Sequence, residues 1–224
     1  AAPDSPDVVL ASSGQSVALH VEGRDPERIA RMARLVQAQD WGGVVFTAAK
    51  TPGDTLGAAE GTFSLDLIHA ANPERACDLL LTFPWTSRPN AFGIRGSDLA
   101  CVSGGARLYA SDHGSMSPWN VRNTLFGWGA GLKRETTMRA AAGNADLAPT
   151  ILALLGPEPD RAGRAAGVTL DGRVLEEAIE AGPDQEQVLE ETRVHVARVP
   201  GYRPAIQVTE VDGRRYIDKS WRVS

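Results

Sequence analysis

The chain has 224 residues, 42% hydrophobic and 23% charged, a balance that suits one sizeable folded core rather than a disordered or membrane-embedded polypeptide. The formal net charge is −5 and Lys and Arg form no cluster, which argues against nucleic acid as a partner, because phosphate backbones reward clustered cations. No stretch approaches the roughly 20 apolar residues that a spanning helix needs, so no membrane span is expected.

In chain order, Val8 to Ala11 and Val17 to Val21 read as short strands, with His20 at a strand position. A helix follows: Asp25 is a good N-cap, Pro26 suits the first helical position, and Ile29, Met32, Ala33 and Val36 form one apolar face that should pack on a sheet. Trp41-Gly42-Gly43 closes that crossover, and Val44 to Thr47 is a continuous apolar run of the kind found in buried strands. Ala48 to Gly61, with Thr51-Pro52-Gly53-Asp54, is a loop. The alternation in Leu65-Asp66-Leu67-Ile68-His69 predicts a strand edge, and Asp78 to Phe83 a further buried strand that leaves through Pro84-Trp85 into a long surface segment. Thr124-Leu125-Phe126 predicts another short strand. Asn144 or Asp146 is expected to cap a helix through Thr150 to Leu155 that stops at Gly156. Val188 to Val199 and Ala205 to Ile217 read as strands, the second folded into a hairpin at Val211-Asp212-Gly213-Arg214, with His195 on the first.

The two cysteines, Cys77 and Cys101, lack zinc-site spacing. They read either as one disulfide of an exported protein or as reduced small core residues. Ala1-Ala2-Pro3 reads either as the product of signal cleavage or as a trimmed precursor end, and a soluble periplasmic or extracellular protein is expected.

The stretch richest in chemistry is Ser111-Asp112-His113-Gly114-Ser115-Met116-Ser117-Pro118-Trp119-Asn120-Val121. A neutral imidazole is a good Zn²⁺ ligand, a neighbouring carboxylate can ligate or orient it, and glycine lets the backbone approach closely. His113 and Asp112 are therefore the candidate metal ligands, with an ordinary loop histidine as the alternative. His20, His69 and His195 sit at strand-like positions where surface or core imidazoles are the better reading.

His113-Gly114-Ser115 with Ser117-Pro118, then Asn123-Thr124-Leu125, Gly129 and Lys133, then Asn144-Ala145-Asp146-Leu147-Ala148-Pro149-Thr150-Ile151 with Leu154-Leu155-Gly156, and last Leu170-Asp171-Gly172-Arg173-Val174-Leu175-Glu176-Glu177-Ala178, resemble the C-terminal portion of the alkaline phosphatase superfamily. The similarity is to its type I phosphodiesterase, nucleotide pyrophosphatase and sulfatase-like branch. It implies an α/β fold, a layered sheet flanked by helices, of which this chain holds the C-terminal part only. One domain over 1–224 is expected, with a core at 8–180 and terminal strands, including a β-hairpin, at 185–224.

The resemblance also implies hydrolysis of a small anionic phosphate or sulfate ester by a two-metal zinc site. Its nucleophile and most ligands would come from the N-terminal portion of the same enzyme, since no Ser or Thr here stands in a recognisable nucleophile context. Two registers remain open for the histidine. Asp112-His113 is the family's adjacent Asp-His pair, or His113 is its isolated third histidine, and the Ser-Pro, Asn-Thr-Leu and Asn-x-Asp-x-x-Pro-Thr sequences that follow fit the third histidine better. Asp112 ligates only in the first register. A non-catalytic binding or structural module with the same fold is the competing class, and a phosphate-transferring mutase fits the Ser-Pro and Arg-Asn-Thr-Leu context less well.

Overall fold

A computed structural model describes residues 7–100 and 113–223. They form a mixed α/β protein with several sheets and few helices. The chain is divided into two compact units, one of residues 1–123, 194–207 and 217–224, the other of 124–193 and 208–216.

The first unit is built on a five-stranded sheet in the order β1-β2-β5-β3-β4. Its strands are β1 (Val8–Ser12), β2 (Ser16–Val21), β3 (Val45–Thr47), β4 (Phe63–Ser64) and β5 (Leu79–Thr82). Only β3 and β4 run parallel; β1–β2, β2–β5 and β3–β5 are antiparallel. Helix α1 (Pro26–Gln37) begins as its sequence predicts, with Pro26 in the first turn and the Asp25 carboxylate accepting the Glu27 N–H. Its Ala33 and Val36 pack with Val17, Leu19, Val45, Leu79, Leu81 and Phe83, and Ala30 and Met32 lean on the same cluster. Burying such side chains is worth roughly 1.5–3 kcal/mol each, and this stripe is what holds α1 to the sheet.

Three local expectations are corrected. Leu65–Ile68 is a 3₁₀ turn rather than a strand edge: the Ser64 hydroxyl accepts the Asp66 N–H, and the turn ends at His69, which is left-handed at φ 52°. The segment after Phe83 is a second, two-stranded sheet, β6 (Trp85–Pro89) and β7 (Arg95–Asp98), closed by Asn90, whose carboxamide oxygen accepts the N–H groups of Phe92 and Ile94. Thr124 to Phe126 is irregular rather than extended, with Leu125 54% and Phe126 89% exposed. Without a partner strand, an apolar triplet has no ladder to join.

After the short helix α2 (Pro118–Val121), α3 (Leu147–Leu155) ends at Gly156 as expected and is followed by α4 (Pro159–Ala165). The last strands, β8 (Glu190–Val196), β9 (Pro204–Val211) and β10 (Arg214–Arg222), form a sheet in the order β10-β9-β8, with the expected Asp212-Gly213 turn between β9 and β10. No helix among the described residues is long and apolar enough to cross a membrane.

Candidate functional site

The loop that follows His113 is built from three elements of the first unit. His113 is exposed, whereas Ser115 and Ser117 are buried. Gly114 lies at φ 100°, a region that side-chain-bearing residues rarely enter, and a Cβ there would stand 2.8 Å from the Ser16 hydroxyl. Glycine at this position therefore answers both a backbone and a packing demand.

Hydrogen bonds then fix the peptides on either side. The Gly114 N–H donates to Asn120 Oδ1 at 3.2 Å, and Asn120 Nδ2 donates to Gln15 Oε1 at 2.6 Å. Gln15 Nε2 reaches Asp98 Oδ2 at 3.4 Å, while the Ser115 hydroxyl donates to Asp98 Oδ1 at 3.1 Å and accepts the Ser117 N–H at 3.0 Å. Gln15 belongs to the β1–β2 turn, Asp98 ends β7 and Asn120 sits in α2. Pro118 opens α2, and the Met116 carbonyl accepts the N–H of Ser220 on β10. The Ser117 hydroxyl is buried without a hydrogen-bond partner among the described residues.

Of the two candidate ligands, His113 stands at the head of this ordered loop and Asp112 lies outside the described residues. Among the described residues no group of three or more His, Cys, Asp or Glu side chains is close enough to hold a metal ion. Asp98 engages both oxygens, with Gln15 and Ser115. His20 is exposed on β2, His69 closes the 3₁₀ turn and His195 lies on β8. Cys77 is half-buried, and burial pushes its thiol pKa up; its pairing with Cys101 lies outside the described residues.

The later motif blocks serve the second unit as structure. Asp146 is fully buried; its Oδ2 accepts the Gly143 N–H at 2.7 Å and its Oδ1 accepts the Arg173 N–H at 2.8 Å and the Tyr216 hydroxyl at 3.0 Å. Asp146 thus staples the turn before α3 to the Asp171-Gly172-Arg173 segment, while Asn144 and Asp146 make no side-chain cap on α3 itself. A Cβ on Gly172 would lie 2.2 Å from the Ala145 carbonyl, so the two motif blocks touch backbone to backbone. Arg173 grips Glu177 with two hydrogen bonds of 2.9 and 2.7 Å, both side chains buried, and also donates to the Ala141 carbonyl. Burial alone would raise the Glu177 carboxyl, yet the Arg173 hydrogen bonds and charge outweigh it and hold the pKa below the usual carboxylate value. Burial, joined by the Asp146 carboxylate, pushes the Tyr216 phenol up.

Sequence reading named His113 and Gly114 as candidates, but not Gln15 or Asp98, nor the part Asn120 plays in holding the loop that follows them. Gln15 and Asp98 are 83 positions apart, and Gln15 and Asn120 are 105 apart, separations no local periodicity encodes. Comparison with protein-family models, with curated proteins and with solved structures gave no match.

Proposed function

We propose that this chain is the C-terminal part of a metal-dependent hydrolase of phosphate or sulfate esters, related to the type I phosphodiesterase branch of the alkaline phosphatase superfamily, and that His113 is one of its zinc ligands. The observation that carries the reading is an exposed histidine leading a loop in which the Gly114 and Ser117 N–H groups are tied down. A ligand must be presented to solvent yet held against reorientation, and the segment after His113 is anchored through Asn120 and Ser115. The ordered motif blocks from His113 to Ala178 add their resemblance to this local argument.

In this reading the remaining ligands and the nucleophile come from outside the described residues, from the N-terminal portion of the same enzyme. When bound, two zinc ions would supply Lewis-acid stabilisation of the attacking and leaving oxygens of an in-line displacement. This chain's own contribution is to present the His113 imidazole, with Gly114 allowing the turn and Ser115 and Asn120 holding the backbone that follows. The acidic chain accepts an anionic ester because a divalent cation dominates its local field. The Asp146 and Arg173 networks hold the fold and take no part in the chemistry. A periplasmic or extracellular location belongs to the same proposal.

The test is zinc content together with ester hydrolysis in the full-length protein. His113→Ala is expected to lower both, and His195→Ala neither. Full zinc occupancy and full hydrolysis in His113→Ala would overturn the assignment in favour of a fold used as a binding or structural module.

A further inference from the structure

The β6–β7 hairpin presents two apolar residues at its tip. In the turn the Asn90 N–H donates to the Ile94 carbonyl, the Gly93 N–H donates to the Asn90 carbonyl, and Gly93 takes a left-handed φ of 77°. That geometry calls for asparagine and glycine. It places no demand on Phe92 and Ile94, which nevertheless stand 87% and 64% exposed. One exposed apolar side chain is ordinary, but two on a single narrow turn form a wedge with no core to enter.

The other end of the hairpin is anchored. The Trp85 indole N–H donates to the Ser220 carbonyl, and Trp119 lies against Gly96, where a Cβ would stand 2.6 Å from the indole ring. Two-stranded hairpins are marginal alone, so these contacts let the tip keep its shape away from the core.

Charge on the hairpin has one sign. Arg88 and Arg95 are exposed, neither is in an ion pair among the described residues, and positions 84–97 hold no Asp or Glu. A strand rises about 3.3 Å per residue, so both arginines stand within roughly 7 Å of the turn. The chain as a whole carries a net charge of −5, which makes this end of the molecule its electrostatic exception.

We propose that the β6–β7 hairpin docks on an anionic lipid surface, with Phe92 and Ile94 entering the interface and Arg88 and Arg95 meeting headgroup phosphates. Peripheral membrane contacts bury apolar side chains about 5–10 Å into the boundary between headgroups and acyl chains, and nearby cations hold the anionic surface. The spacing of tip and arginines matches that depth. A protein partner would have to supply a groove moulded to the wedge, whereas a fluid interface closes around any outline. Because the net negative charge opposes approach elsewhere, the arginines also turn the molecule hairpin-first. The contact requires no metal and no spanning helix.

Co-sedimentation of the full chain with vesicles tests this, one set of phosphatidylcholine alone and one an equimolar mixture of phosphatidylcholine and phosphatidylserine. Binding is expected to the mixed vesicles, weaker to the neutral ones, and falling as salt rises. Phe92→Ser should lower the partition coefficient about tenfold or more. Arg88→Ala and Arg95→Ala should each lower it about fivefold, and only where phosphatidylserine is present. All three side chains are exposed, so each variant is expected to keep the parent's thermal unfolding midpoint. Leu189→Ser removes an apolar side chain that is 83% exposed elsewhere and should change nothing. Equal binding to the two vesicle types, no binding to either, or equal losses from Leu189→Ser and Phe92→Ser would overturn the proposal. So would concentration-dependent dimerisation that Phe92→Ser abolishes without any vesicle binding, which would assign the tip to a second copy of the chain.

Discussion

Asp98 and Asp146 are both carboxylates that collect hydrogen bonds from distant parts of the sequence, but they are used in opposite ways. Asp146 is fully buried and receives two backbone N–H groups and a phenol, so its network closes on the fold itself. Asp98 is half-buried and receives two side chains, whose own partners lead outward to the peptides of a loop carrying an exposed histidine. A carboxylate that ends on backbone donors staples segments together. One that ends on side-chain relays ties a surface loop to its supports.

The largest loss on the Asp146 side should come from the buried pair beside it. Removing one partner, as in Glu177→Gln or Arg173→Met, should cost roughly 3–5 kcal/mol, whereas Arg173→Met/Glu177→Leu together should cost much less, because no uncompensated charge remains. The pH dependence has a definite sign. The folded pKa of Glu177 is depressed, so the stability it contributes is complete above its unfolded value and is lost as pH falls through the lower folded value. Glu177→Gln should flatten that acid limb of a stability-against-pH curve.

Next in size is deletion of the two carboxylates themselves. Asp146→Ala strands the buried Arg173 N–H and removes the acceptor of two part-buried donors, and is expected to destabilise the protein by about 2–3 kcal/mol in urea denaturation. Asp98→Ala, which removes the acceptor of two part-buried side chains, should cost less in the same assay. Equal costs would erase the contrast.

A smaller effect tests the loop backbone. Gly114→Ala forces a side chain into a left-handed conformation and against Ser16, a cost of about 1–3 kcal/mol by thermal or urea unfolding. Smallest of all is Ser117→Ala, expected to stay within about 0.5 kcal/mol of the parent or to gain slightly, since its buried hydroxyl meets no partner among the described residues. A large loss there would show that the hydroxyl has a role in the loop.

What the sequence made legible was what is local. Asp25, Pro26 and the apolar stripe of α1 lie within a few turns of one another, and each acts as its pattern predicts. The runs at Val17, Val44 and Asp78 became strands because their apolar residues had a common core to fill, whereas β1 pairs along β2 with Val9 and Leu10 exposed. The misreadings have equally local reasons. Leu65 to Ile68 alternates like a strand, but Ser64 offers its hydroxyl to the Asp66 N–H and the chain turns. The β6–β7 pair is largely polar and exposed, with Pro89 within β6, so no apolar pattern announces it. In the candidate site His113 and Gly114 could be read from type and spacing, whereas Asp98 and Gln15 reach the loop only through the β1–β2 turn and the β6–β7 sheet. Their contribution is tertiary, and it is invisible until the strands are paired.

The most direct measurement of the central claim is zinc K-edge X-ray absorption on the full-length protein, comparing the parent with His113→Ala. The account predicts imidazole scattering with Zn–N at about 2.0 Å that diminishes by one ring when His113 is replaced. An identical spectrum in the two proteins would contradict it.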